Sequence, residues 1–360
     1  MLRVLIRRLI DAAEPELARF FSRSRTLTRI YFGLLSPRFS REQFAVLQGR
    51  ARFSAGVVKT NNPRLRRNVH RLEKGLLMRP RAPVFALDYI GETVEEFHRA
   101  CVSEVHDTAE LAWAVDVLRE FFEVVQSSPK IDAAKCVFEA ARGRSSAKGS
   151  SAKGRKDEGD NHPRNKIPHP RSAGIRSSVD YEQFLSLCQQ RRSVRWFQAK
   201  PVPRDLIERA ARAAAEAPSA CNRQPFLFRL FESPEEAASV TELAMGTRGY
   251  SQQVPALVVV LGDFSSFALE RDRHLPYIDS ALAAMQFMLA LETLGLGSCP
   301  INWPDIEFLE RRMERRLELP NHLRPVMLIA IGYPDPEGGV AHSEKKPVSL
   351  LLRTSNDYRD

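Results

Sequence analysis

The chain has 360 residues, 43% of them hydrophobic and 27% charged, with a net charge of +10, which is enough apolar material for more than one core and enough length for two domains. No apolar run approaches the roughly 20 residues that a membrane-spanning helix needs, and the five cysteines are scattered without a C-x-x-C pair, which excludes a disulfide framework and a zinc site and fits a reducing cytoplasm. The charge is lopsided: residues 1–178 carry 33 Lys/Arg against 20 Asp/Glu, whereas residues 179–360 carry 21 against 24, so an acidic partner or a membrane surface is expected for the front half.

In chain order, Met1 to Ile10 alternates Leu2, Val4, Leu5, Ile6, Leu9 and Ile10 with Arg3, Arg7 and Arg8. This is a basic amphipathic helix, facing either a membrane surface or partner, or its own domain. From Leu17 to about Val58 the pattern predicts amphipathic helices with basic polar faces. Asn61-Asn62-Pro63 starts the next helix, which Gly75, Pro80 and Pro83 bring to an end. His70 and Glu73 are three apart, a spacing that suits either an acid–base pair or an intrahelical hydrogen bond. Ile90 to Cys136 is strongly helical, and no Gly-rich phosphate loop or strand pattern interrupts it. Residues 1–142 are therefore expected to form a basic all-α module. Residues 143–178, rich in Gly, Ser, Lys, Asn and Pro, read as a flexible linker. With no aromatics to stack on bases, this segment predicts no specific nucleic-acid partner.

Residues 179–360 form the second unit. A short helix from Asp180 to Gln190 delivers Arg191-Arg192-Ser193-Val194-Arg195-Trp196-Phe197. Three guanidiniums and a hydroxyl within five residues suit either a phosphate cradle or a solvated helix end. A helix over Ile207–Glu216 then stops at Pro218-Ser219. Strands follow at Phe226–Glu232 and Ala256–Gly262, then a long apolar helix over Tyr277–Leu294 and a strand over Val326–Ile331. Eight histidines show no H-E-x-x-H spacing, so no metal site is expected.

Arg-Arg-Ser-x-Arg-x-Phe at 191–197, followed about 25 residues later by Ala-Pro-Ser-x-x-Asn-x-Gln-Pro-Phe at 217–226, resembles the FMN-dependent nitroreductase family. Gly295-Leu296-Gly297-Ser298 and Gly332-Tyr333-Pro334 continue the resemblance in the same order, so that it covers roughly residues 181–353. It implies an α+β fold, a three-layer sandwich with a mixed, mainly antiparallel sheet, preceded here by the all-α module. It also implies a homodimer with one FMN at each of two subunit interfaces.

Carried over residue by residue, the resemblance places Arg191 and Ser193 on the FMN phosphate, with Arg192 close by, and Arg195 near N1 and O2 of the ring. Pro218, Ser219 and Asn222 would line the ring, with Gln224 supporting the turn. Lys345 would take the place of an arginine that reaches the phosphate, while Ser343 stands where a lysine is usual. Cys299 to Pro304 occupies the position of a Gly-rich loop near flavin N5, which brings Asn302 into the candidate set. Trp303 beside it is either a stacking platform for substrate or a packing residue. No side chain need act as catalyst, because FMN would take hydride from NADPH or NADH and pass electrons to a nitro, quinone or other conjugated acceptor. The alternative is a dimeric scaffold with little flavin binding and a basic, polyanion-binding front half.

Overall fold

A computed structural model describes residues 16–56, 62–103, 107–148, 166–352 and 354. The expected amphipathic helix at Met1–Ile10 lies outside them. In the front half, α1 (Arg25–Ile30) leads through a π-helical turn (Tyr31–Leu35) to α2 (Ser40–Ala55). Helix α3 (Pro63–Leu76) starts where Asn62 accepts the Leu65 N–H at 3.0 Å and Pro63 fills the first helical position. It buries Leu65, Val69 and Leu72 against α4 (Ile90–Val102), α5 (Thr108–Val124) and α6 (Pro129–Lys148). Phe97, Phe121, Phe122 and Phe138 fill the centre of this core, with ring centroids 5.1–5.5 Å apart.

Two boundaries differ from expectation. Helix α6 continues to Lys148, past the predicted start of a linker at 143. At the other end of that segment the Lys166 amide donates to Asp116 Oδ2 at 2.9 Å, and Arg171–Ala173 forms a 3-10 turn. Residues 149–165 are outside the described set.

The back half is a three-layer α+β sandwich. Its sheet comprises β1 (Phe226–Phe231), β2 (Ala256–Asp263), β3 (Gly297–Asn302) and β4 (Leu323–Gly332) in the order β1-β2-β4-β3. Each described pairing is antiparallel. The mixed character that was expected is limited to one parallel bridge, Ser193 with Ser298. Strand β2 has no polar alternation because both its faces are covered. Leu257, Val259 and Leu261 face α9 (Pro234–Thr241) and α11 (Glu307–Leu317), whereas Val258 and Val260 face α8 (Arg204–Ala215) and α10 (Leu275–Thr293). Helix α7 (Tyr181–Gln190) opens this half with a capping box between Asp180 and Gln183.

Helix α10 is the long apolar helix expected over Tyr277–Leu294. It buries Ala283, Ala284, Phe287 and Leu291, yet leaves Ile278, Leu282 and Met285 at 51%, 43% and 40% exposure. Cys299–Asn302, read as a loop, belongs instead to edge strand β3.

The two halves pack on each other. Gly49 of α2 lies against the backbone of Phe264, where a Cβ would come within 2.5 Å of the carbonyl. Arg41 of α2 grips α11 by a two-pronged pair with Glu307 (both 2.8 Å) and a further contact to Glu314. The Arg41 guanidinium beside Glu307, helped by Arg311, holds that carboxyl down at about 2. A carboxylate whose pKa is depressed on folding contributes stability above its ordinary range and loses it as pH falls through the folded value. Thermal melts at pH about 5 down to about 2 should therefore fall less steeply for Arg41→Gln than for the parent chain. Parallel pH profiles would show that this contact does not couple the two halves.

Candidate functional site

At Gln190 the chain leaves α7, where Gln190 Nε2 donates to Glu292 Oε1 near the end of α10 at 3.2 Å. It then runs alongside β3: the Val194 N–H donates to the Ser298 carbonyl at 3.0 Å, and Ser193 forms the parallel bridge. Arg191, Arg192 and Ser193 are half-buried there. Ser298 is fully buried, and its hydroxyl, like Arg191 Nε, has no hydrogen-bond partner among the described residues. Two orphaned polar groups beside a double-arginine run fit an incoming oxyanion such as a phosphate, which would satisfy both.

Arg195 lies on the other side of the bridge, 6.0 Å from the Tyr250 ring. Burial pushes Tyr250 up to about 12, against the pull of Arg195. Burial likewise raises the Cys299 thiol, and Arg195, the Tyr250 hydroxyl and Arg191 offset this only in part. Both groups thus stay neutral near pH 7, and they leave the positive charge of Arg195 unneutralised by themselves.

The second cluster is the turn at Pro218–Gln224. Cys221, Asn222 and Gln224 all adopt left-handed conformations (φ 54°, 51° and 49°), which cost of order 1 kcal/mol or more each for residues with a Cβ. Several bonds over-determine this backbone. Ser219 Oγ accepts the Gln224 N–H at 3.0 Å, and Asp279 of α10 accepts the Ala220 N–H at 3.0 Å. Gln224 Nε2 donates to the Ala215 carbonyl at 2.9 Å. The strongest hold comes from the front half. Arg66 of α3 donates through Nε to the Asn222 carbonyl at 2.8 Å and through Nη2 to Gln224 Oε1 at 3.0 Å. Its Nη1 donates to Glu110 of α5 at 3.0 Å, and its guanidinium lies 5.4 Å from the Trp113 ring. Arg66, Glu110 and Asp279 were not among the candidates; in the sequence, Arg66 is one of five basic residues on an amphipathic helix.

The remaining candidates are dispersed. Asn302 is exposed at the far end of β3, paired with Met327, four residues and hence about 13 Å from Ser298. Trp303 is buried, with its Nε1–H on Glu310 Oε1 at 2.6 Å beside Arg324, so it packs the core and offers no face to a substrate. Lys345 is exposed on the tail, near a His342–Glu344 contact of 2.7 Å. His70 and Glu73 form the intrahelical hydrogen bond (3.1 Å), and Glu73 also accepts from Trp113 at 2.9 Å.

The 191–195 run and the 218–224 turn do not meet in one chain. They attach to α10 at Glu292 and Asp279, thirteen residues and about 20 Å apart along the helix. An exposed apolar stripe of Ile278, Leu282 and Met285 runs along the same helix from beside Asp279 towards Glu292.

Removing Arg66 leaves buried Glu110 without its counter-charge, with only the Asn62 N–H at 3.3 Å remaining, and frees the turn. Arg66→Ala should therefore lower unfolding stability by about 3–5 kcal/mol in denaturant titrations, with Arg66→Lys recovering only part because an ammonium lacks the fork. A loss below about 1 kcal/mol would show that the contact is a dispensable surface pair.

The sequence profile of the nitroreductase family matches residues 188–258 and 248–333. A putative NADH dehydrogenase/NAD(P)H nitroreductase of Methanothermobacter thermautotrophicus is 31% identical over 166 residues, 44% of this chain and 82% of that protein. A Thermus thermophilus NADH dehydrogenase is 28% identical over 42% of this chain and 87% of its own length, and human iodotyrosine deiodinase 1 is 24% identical over 48% and 68%. Among solved structures, a putative NADH oxidase from Clostridium acetobutylicum aligns over 47% of this chain and 98% of its own, with 24% identity and a TM-score of 0.41. Among the described residues, no helix is long and apolar enough to cross a membrane. With a relative above 30% identity matched over four-fifths of its length, and with the profile falling on the very segments that build the arginine run, the turn and the sheet, the chain belongs to the nitroreductase family of oxidoreductases.

Proposed function

We propose that the protein is an FMN-dependent NAD(P)H oxidoreductase that works as a homodimer and reduces a nitro, quinone or other conjugated acceptor. The observation that carries this reading is the pair of orphaned buried groups, Ser298 Oγ and Arg191 Nε, at the arginine run. Arg191, Ser193 and Ser298 would hold the cofactor's phosphate, with Arg192 adding charge beside them. Bound FMN supplies the redox chemistry, taking hydride from NADPH or NADH and giving electrons to the acceptor. Arg195 supplies a fixed positive charge, which favours the more negative, reduced form of a flavin in a site with little water. The 218–224 turn, stiffened by Arg66, presents the Pro218, Ser219 and Asn222 backbone as a rigid wall for the ring.

The same geometry supports the homodimer. The two clusters stand at opposite ends of α10, and an apolar stripe is exposed along it. A second copy packed on that stripe would bring the arginine run of one chain to the turn of the other. The five cysteines are all free, which suits the cytoplasm proposed as the place of action. The NADH dehydrogenase and nitroreductase names of the relatives support a nicotinamide donor, and the deiodinase names show that acceptors differ across the family.

Anaerobic titration of the purified protein with NADH and NADPH tests the reading. A yellow protein that bleaches is expected, with Arg195→Ala slowing reduction by about 10²-fold and Arg192→Ala having a smaller effect. A colourless protein that takes up no added FMN would favour the scaffold alternative. Equal behaviour of the two variants would contradict the role given to Arg195.

A further inference from the structure

A cavity of about 460 Å³ opens between α3 and residues 268–272 of the back half, and its charge is almost all of one sign. Arg67, Arg71 and Lys74 line it from α3, and Arg223 and Arg271 from the other side, against the single carboxylate of Asp272. None of the residues assigned above to FMN lines it. The three α3 residues are spaced i, i+4, i+7 and so form one stripe, on a different face from the core positions Leu65, Val69 and Leu72. Arg67 and Arg71 also brace the start of α4 through Glu92, Asp88 and the Tyr89 ring (3.6 Å from Arg71), so packing accounts for these two in part.

The neighbouring carboxylates leave a charge excess. Arg67 Nη2 donates to Glu92 at 2.8 Å, and Arg71 Nη2 to Asp88 at 3.1 Å, while Arg223 Nη1 is 3.9 Å from Asp272. Asp279 of α10 also lies near Arg223, so five cations face four carboxylates and a positive excess remains. Burial, joined by the nearby guanidiniums of Arg223, Arg71 and Arg64, holds Arg67 below the ordinary arginine range, and Glu92 offsets this only partly. Such crowding of like charge costs stability in the empty cavity and is relieved when an anion enters.

We propose that this cavity binds a phosphomonoester through Arg67, Arg71, Lys74 and Arg271. A phosphomonoester brings up to two negative charges and three acceptor oxygens, which answer the positive excess of the walls, and arginine forks match its paired oxygens. The volume admits a sugar-sized body behind the phosphate. Cys221 also lines the cavity, one residue before Asn222. A ligand held here lies beside the turn assigned to the flavin ring, yet its binding does not depend on that assignment.

Calorimetric titration of the full chain with glucose 6-phosphate, inorganic phosphate and glucose, each with and without FMN, tests the site. Saturable binding of the phosphorylated sugar but not of glucose is expected under both conditions. Lys74 and Arg271 are solvent-facing, so reversing both (Lys74→Glu with Arg271→Glu) leaves the fold intact and should weaken binding by about tenfold or more. The same charge change on α8 (Arg209→Glu with Arg212→Glu) should leave it unchanged. Tighter binding of glucose 6-phosphate than of inorganic phosphate assigns the cavity to a phosphorylated metabolite, and equal binding assigns it to the free anion. No binding by the parent chain, equal weakening in both double variants, or competitive displacement of the phosphorylated sugar by FMN would overturn the proposal of a separate site.

Discussion

Arg66 distributes three of its N–H donors over three places: the Asn222 carbonyl, the Gln224 side chain and the Glu110 carboxylate. A rigid, planar fork is pre-organised to serve three acceptors in fixed directions at once. The turn it grips contains three non-glycine residues in left-handed conformations within four positions. Such a backbone persists only if surrounding contacts outweigh its strain. The 218–224 turn of this nitroreductase fold is here held in shape by a helix from outside that fold. The front half is therefore a structural part of the site, whatever else it binds.

A second constraint comes from the sheet. Strand β3 is an edge, and the 191–195 run covers part of it through the Ser193–Ser298 bridge. That contact shields an unpaired strand edge and also aligns the arginines beside Ser298. Beneath β3, Trp303, Glu310 and Arg324 form a buried polar network with Asp305 at its rim. Burial raises the Glu310 carboxyl, and Arg324 and the Trp303 N–H counteract it. This network spends Trp303 on fixing the strand's exit, so the residue is committed to the core.

The features legible in the sequence were those with local causes. The apolar run of β2, the capping signals at Asp180 and Asn62, and the two motifs at 191–197 and 217–226 each lie within a short window. Features that depend on distant partners were not legible. Arg66 looks like its basic neighbours until Asn222, 156 residues away, is placed beside it. The loop reading of Cys299–Pro304 comes from the resemblance; the segment instead enters the edge strand β3, where Pro300 is tolerated because an edge position does not need its missing N–H. The long apolar run of helix α10 does not show which of its faces is covered, and its stripe of Ile278, Leu282 and Met285 stays open in one chain. Lys148 ends a helix that composition had ended at 142, since favourable packing of Ile131, Ala134, Phe138 and Ala141 carries α6 beyond its apolar stretch.

Hydrogen exchange read by mass spectrometry, peptide by peptide, tests the central claim that the front half fixes the 218–224 turn. In Arg66→Ala, amides of the 218–226 peptide should exchange markedly faster, while those of β2 and β4 keep their protection. Unchanged exchange at 218–226, or an equal loss of protection across the whole sheet, would contradict the account.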